Sequence, residues 1–140
     1  MKNLFFTFLI LIMTACTSQR LVENSGNEIL KTELTKISRM GKMHYSFSAG
    51  QLEESGLSEN TKKLNDENWK TIQNLASKIN LENINNLEAP TDARFTDRVK
   101  EVQLSFTLGD TTYVSSGFDE GNPPAELEEI YTYLEDLIGQ

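Results

Sequence analysis

A chain of 140 residues with 13 Lys and Arg against 21 Asp and Glu has room for one small domain and carries a formal charge of −8 at pH 7. That balance shows no basic footprint of the kind nucleic-acid binding needs, and it gives the body no electrostatic reason to lie flat on an anionic bilayer. One cysteine leaves no internal disulfide to form. The chain opens on Met1-Lys2-Asn3, a single positive charge ahead of an apolar run over residues 4–13 that only Thr7 interrupts. This run is too short for a hydrocarbon core of roughly 30 Å, which takes about 20 helical residues. It fits the apolar region of a secretory signal.

Small residues then lead straight into the only thiol. The order Met13-Thr14-Ala15-Cys16 resembles the lipobox of bacterial lipoproteins, in which an apolar and two small residues precede the modified cysteine. A peptidase acting within the membrane needs narrow side chains beside the cleaved bond, and a thiol is the nucleophile that accepts the diacylglyceryl group. The resemblance implies cleavage before Cys16, lipid (palmitate among its acyl chains) on that cysteine, and a membrane anchor of more than one chain, which stable attachment requires. Loss of Lys2 with the signal makes the mature charge about −9. Thr17, where some inner-membrane lipoproteins carry aspartate, favours the outer membrane, and the lack of an acidic run after Cys16 favours a domain facing the periplasm. The reading divides the chain into residues 1–15 as signal, 16–31 as lipidated cysteine and flexible tether, and 32–140 as one domain.

Within that domain residues 34–37 read as a strand. In residues 43–48, Met43, Tyr45 and Phe47 alternate with His44, Ser46 and Ser48, the period of a half-buried strand. Met40-Gly41-Lys42 is either a turn between two strands or a bulge in one. Residues 49–60 read as a loop, with a short strand near residues 61–64. Asn65 or Asp66 can cap a helix, along which Trp69, Ile72, Leu75, Ala76 and Ile79 recur on one face. Leu81, Ile84 and Leu87 extend it at intervals of three, and Pro90 ends it. Val102, Leu104, Phe106 and Leu108 alternate with polar neighbours. Gly109-Asp110 then turns the chain, as in a type II′ hairpin, into a strand over residues 111–117. Pro123-Pro124 opens a last helix with Leu127, Ile130, Tyr131, Leu134 and Ile138 on one face. Tyr131 and Tyr133 stand about 200° apart on it, so one of the two is expected at the surface. The expected fold is α+β: a small antiparallel sheet of three to five strands with two amphipathic helices packed on one face.

Few residues point to chemistry. The only thiol belongs to the anchor, and the sole histidine, His44, falls on the polar side of its strand. Asp92 and Asp97 beside Arg94 and Arg98 read as a solvated ion-pair group. Asp119, Glu120, Gly121 and Asn122 form a possible binding loop, with oxygen ligands beside a glycine but without the spacing of an EF-hand. No phosphate-binding loop and no catalytic carboxylate pair is legible, so the expectation is a non-enzymatic protein with no cofactor.

From Ser38 to Ile138 the order of features has a likeness elsewhere. It runs through Ser48-Ala49-Gly50 at a strand end, the helix near Trp69, Ala89-Pro90-Thr91-Asp92, the hairpin, Phe118-Asp119-Glu120-Gly121-Asn122-Pro123-Pro124 and the closing helix. It resembles small bacterial envelope lipoproteins of unknown function and, more distantly, emfourin, an inhibitor of thermolysin-type metallopeptidases. The first resemblance implies an envelope protein partner without nucleic acid. The second implies, as an alternative, inhibition of a metallopeptidase.

Overall fold

The computed structural model describes residues 28–140 apart from 97; the signal segment and Cys16 lie outside the described residues. Alternating apolar and polar side chains set the strand register. β1 (Ile29–Ser38) pairs with β2 (Gly41–Ser48) on one side and β5 (Glu101–Leu108) on the other, both antiparallel. β2 continues to β3 (Gln51–Ser55) and β4 (Asn60–Lys63), while β5 pairs with β6 (Thr111–Val114) and the two-residue β7 (Phe118–Asp119). The spatial order is β4-β3-β2-β1-β5-β6, with β7 also on β5. Leu34 stands opposite Tyr45 and Leu104, and Thr32 opposite Phe47 and Phe106. These residues share one buried face, which leaves Glu33, Thr35, His44, Gln103 and Ser105 on the other.

α1 (Asp66–Ser77) starts where Asn65 caps it, its side chain accepting the Asn68 N–H at 2.7 Å. Trp69, Ile72 and Ala76 are its buried residues. The interval of three at Leu81 and Ile84 produces a 3-10 turn over Leu81–Asn86, whose natural period is three. Another 3-10 turn, Ala93–Thr96, precedes β5, and a third, Ala125–Leu127, leads into α2 (Glu128–Ile138). The buried residues of α1, α2 and the sheet's apolar face form one hydrophobic cluster around Phe47, Phe106 and Phe118. Burying each such ring is worth roughly 1.5–3 kcal/mol. Tyr131 and Tyr133 both turn towards this core, Tyr131 buried and Tyr133 half-buried with its hydroxyl donating to Asn68, so neither is the surface tyrosine expected.

The expected architecture needs correction. Among the described residues the sheet has seven strands rather than three to five. Nor do two helices spread over one face as a layer: α1 meets β1 and α2, α2 follows on from its leading 3-10 turn, and the Leu81–Asn86 turn rests on β6. The additional strands have a physical explanation. β3 and β4 lie at a sheet edge, where only Leu52 among their side chains is buried; β3 thus has the composition of the loop expected over residues 49–60, while β4 matches the short strand expected near residues 61–64. Polar and Lys-bearing edges of this kind also resist pairing with other chains. Met40 belongs to the turn between β1 and β2, which settles the choice between turn and bulge. Residues 29–31, within the expected tether, open β1.

Candidate functional site

Two places gather polar groups, the turn after β7 and the open face of the sheet. The turn holds all four residues of the possible binding loop. Asp119 ends β7 with its side chain buried, and Phe118 before it is fully buried in the core. Its carboxylate accepts from Thr91 Oγ1 at 2.6 Å and from the Ala93 and Arg94 N–H groups at 2.7 and 3.0 Å. Arg94 Nη1 completes the set at 3.1 Å. Burial by itself would push this carboxyl up; the bonds from Thr91, Arg94 and Ala93 outweigh it and hold it down at about 2. The carboxylate thereby satisfies the free N–H groups at the start of the Ala93–Thr96 turn.

Glu120 faces Lys36 at 2.9 Å and Lys100 at 3.3 Å. Lys36 also reaches Glu135 of α2 at 2.7 Å, with only 11% of its side chain exposed. Desolvation pulls the Lys36 ammonium down, but Glu135 and Glu120 together raise it above the usual lysine range. Glu120 is pushed up by its partial burial and brought below the usual range by Lys36 and Lys100. Gly121, at φ +83°, donates its N–H to the Tyr131 hydroxyl at 2.9 Å. Burial pushes that phenol up to about 12, against the Gly121 bond and with the help of Glu135. Asn122 closes the turn through its N–H on the Asp119 carbonyl. The four residues are brought together, and Asp119, Glu120 and Gly121 engage the chain's own groups, joining β7, β1, α2 and the Ala93–Thr96 turn.

The solvated ion-pair group expected around Arg94 is different in the fold. Arg94 pairs with Asp119 across the chain, its side chain 13% exposed, while Asp92 is exposed and Asp97 lies outside the described residues. The guanidinium also donates to the Thr91 carbonyl and stacks on the Phe95 ring at 4.3 Å. Phe95 is thus held out from the surface at 74% exposure. Arg94 also borders a groove of about 640 Å³ lined by Arg39, Met40, Arg98 and Lys100 together with Glu101 and Glu120. No periodicity marks this mixed-charge groove; the clue in the sequence is Arg94 with Arg98-Val99-Lys100-Glu101.

On the open face, His44 accepts or donates at Nδ1 with Thr35 Oγ1 (2.9 Å) and meets Glu33 Oε1 through Nε2 (3.2 Å). Glu33 also accepts from Ser105 at 2.9 Å and pairs with Lys31 at 2.6 Å. Partial burial pushes this carboxyl up, and Lys31 and Ser105 bring it below the usual range. A shallow depression of about 620 Å³ adjoins them, with Glu53 and Glu59 at its rim. Both ring nitrogens of His44 are thus engaged, and Ser105 is bonded to Glu33 instead of to the imidazole. The arrangement provides hydrogen-bonding surface. Among the described residues no three His, Cys, Asp or Glu side chains gather to hold a metal ion, and no helix is long and apolar enough to cross a membrane. The chain matches no protein-family profile and no curated protein sequence.

Proposed function

We propose that this is a bacterial envelope lipoprotein, held in the outer membrane through lipid on Cys16, whose domain faces the periplasm and binds another envelope protein without catalysing a reaction. The observation that carries the reading is the position of the chain's only cysteine, directly after an apolar signal and two small residues. The fold is consistent with a tethered body: β1 begins at Ile29, so residues 17–28 separate the cysteine from the first strand. At 3.3–3.6 Å per residue they reach about 40 Å at most, enough to hold the domain clear of the headgroups. The binding half of the reading is supported by the polar sheet face and by the exposed ring of Phe95.

Photoreactive groups placed at Phe95 and at Glu53 in the lipidated full-length protein test this in cells. The expected result is a cross-link to a discrete envelope protein from at least one position, with no turnover of ester, peptide or glycan substrates by the purified protein. Turnover of any of these, with no cross-link from either position, would contradict the reading.

A further inference from the structure

We infer that the free edge of β6 receives an extended, uncharged segment of a partner protein as a further strand of the sheet. The inference rests on the binding role proposed above and names its surface. Leu108 and Thr111 flank a two-residue turn, whose closing pair exchanges backbone bonds. Bonded and non-bonded pairs then alternate along an antiparallel ladder. Ser115 keeps that parity by donating its N–H to the Leu104 carbonyl at 2.8 Å. Thr112 and Val114, opposite Thr107 and Ser105, are the non-bonded members, so their N–H and C=O groups point away from β5. β6 is the last strand on its side of the sheet, and no described residue pairs with these four groups. Donors and acceptors at strand spacing are what another extended backbone recognises.

The chain itself covers this edge only beyond Val114. Ser116 shares the outward parity; its N–H donates to the Ile84 carbonyl at 3.4 Å, and its hydroxyl donates to the Leu87 carbonyl. The segment after α1 thus meets the edge at Ser116 and leaves Thr112 and Val114 uncovered. Between the Leu81–Asn86 turn and this part of the edge lies a cavity of about 330 Å³. Leu81, Ile84, Tyr113 and Val114 line it, with Glu82 its only charged residue, so it suits an apolar side chain of the added strand.

Composition separates the two outer strands. β4 carries Lys62 and Lys63, and a lysine-bearing edge discourages added strands. β6 is Thr111-Thr112-Tyr113-Val114, the only strand among the described residues without a charged side chain. Val114 stands 45% exposed at its end. β-Branched and aromatic residues are those that favour strand pairing. A second copy of the domain fits less well. The Leu81–Asn86 turn stands against β6 and walls the edge, which leaves a cleft for a lone segment rather than for a whole sheet.

The test uses the full-length protein in neutral detergent and a short fluorescent peptide of alternating Val and Thr. Its fully N-methylated form, with the same side chains and no backbone donors, is the control. The Val-Thr peptide is expected to bind with little dependence on salt, and the N-methylated form is not. Val114→Pro removes an outward N–H and spares the ladder to β5, since edge strands accept proline at such positions. It should weaken binding by about tenfold or more, as the loss of one rung implies. Val114→Lys keeps the backbone and sets a charge in the cavity; it should weaken binding as well, and it decides the matter if circular dichroism shows the proline variant misfolded. Lys70→Glu on α1 should have no effect. Equal binding of both peptides, no binding, or indifference to both Val114 variants would overturn the inference. So would a wild-type dimer that either variant dissociates while the peptide stays unbound. If the peptide fails but the lipidated protein still cross-links a partner from Phe95 or Glu53, the edge is wrong and the binding role stands.

Discussion

Arg94 and Asp119 lie 25 residues apart in sequence and meet at 3.1 Å, the carboxylate wholly removed from solvent and the guanidinium nearly so. Removing one partner of a buried pair leaves donors facing an empty acceptor site, which typically costs about 3–5 kcal/mol. Asp119→Ala should therefore destabilise the domain by roughly 3 kcal/mol in urea unfolding. The same carboxylate gives an acid signature. Its folded value near 2 lies below an unfolded value of about 3.9, so its contribution is complete above pH 4 and fades as pH falls towards 2. Unfolding free energy measured from pH 5 to pH 2 should fall less steeply in Asp119→Ala than in the wild type.

Tyr131 gives the mirror case at high pH. Its phenol is held protonated in the fold up to about 12, against about 10 in the unfolded chain. That contribution is complete below pH 10 and is lost as pH rises to 12; the raised Lys36 ammonium acts in the same direction. Tyr131→Phe should cost about 1 kcal/mol near neutrality, from the orphaned Gly121 N–H, and should lessen the decline above pH 10. Unfolding curves at stepped alkaline pH would show both effects.

Two turn glycines should differ in their tolerance of a side chain. At Gly56, φ is +123° and an added Cβ would lie 2.1 Å from the Lys42 carbonyl oxygen, a backbone atom that cannot step aside. At Gly109, in the two-residue turn that pairs Leu108 with Thr111, φ is +53° and nothing lies within 4 Å. Gly109→Ala should cost about 1–2 kcal/mol for the left-handed backbone alone. Gly56→Ala should cost clearly more, as a lower thermal midpoint would report.

Thr32 is the one residue of the core face whose hydroxyl is buried without a partner among the described residues. It sits between Phe47 and Phe106. Thr32→Val keeps the shape and removes the unpaired polar atom, so stability should rise by about 1 kcal/mol in the same unfolding assay.

How much of this could be read from residues alone varied with how local the determining physics is. The β2 and β5 alternations, the Asn65 cap and the Gly109 turn depend on neighbours in sequence, and all appear in the fold. β4 matches the short strand expected near residues 61–64, whereas β3 and β7 did not show: β3 has one buried side chain and β7 only two residues, too few to carry a period, and their pairing is imposed by β2 and β5. The loop at Asp119 was noticed for its oxygen atoms, but its burial depends on Thr91, Ala93 and Arg94, more than twenty residues upstream. No local pattern announces such a partner. Phe95 was invisible for the same reason, since its display follows from where Arg94 is held.

The proposed function stands or falls with lipid on Cys16, which would tether everything after it. Intact mass of the protein purified from bacterial membranes measures this directly. The expected result is a mature chain beginning at Cys16 and heavier by a diacylglyceryl group or more, and a Cys16→Ala variant without that added mass that leaves the membrane fraction. A wild-type chain of unmodified mass, or a Cys16→Ala chain that stays lipidated, would contradict it.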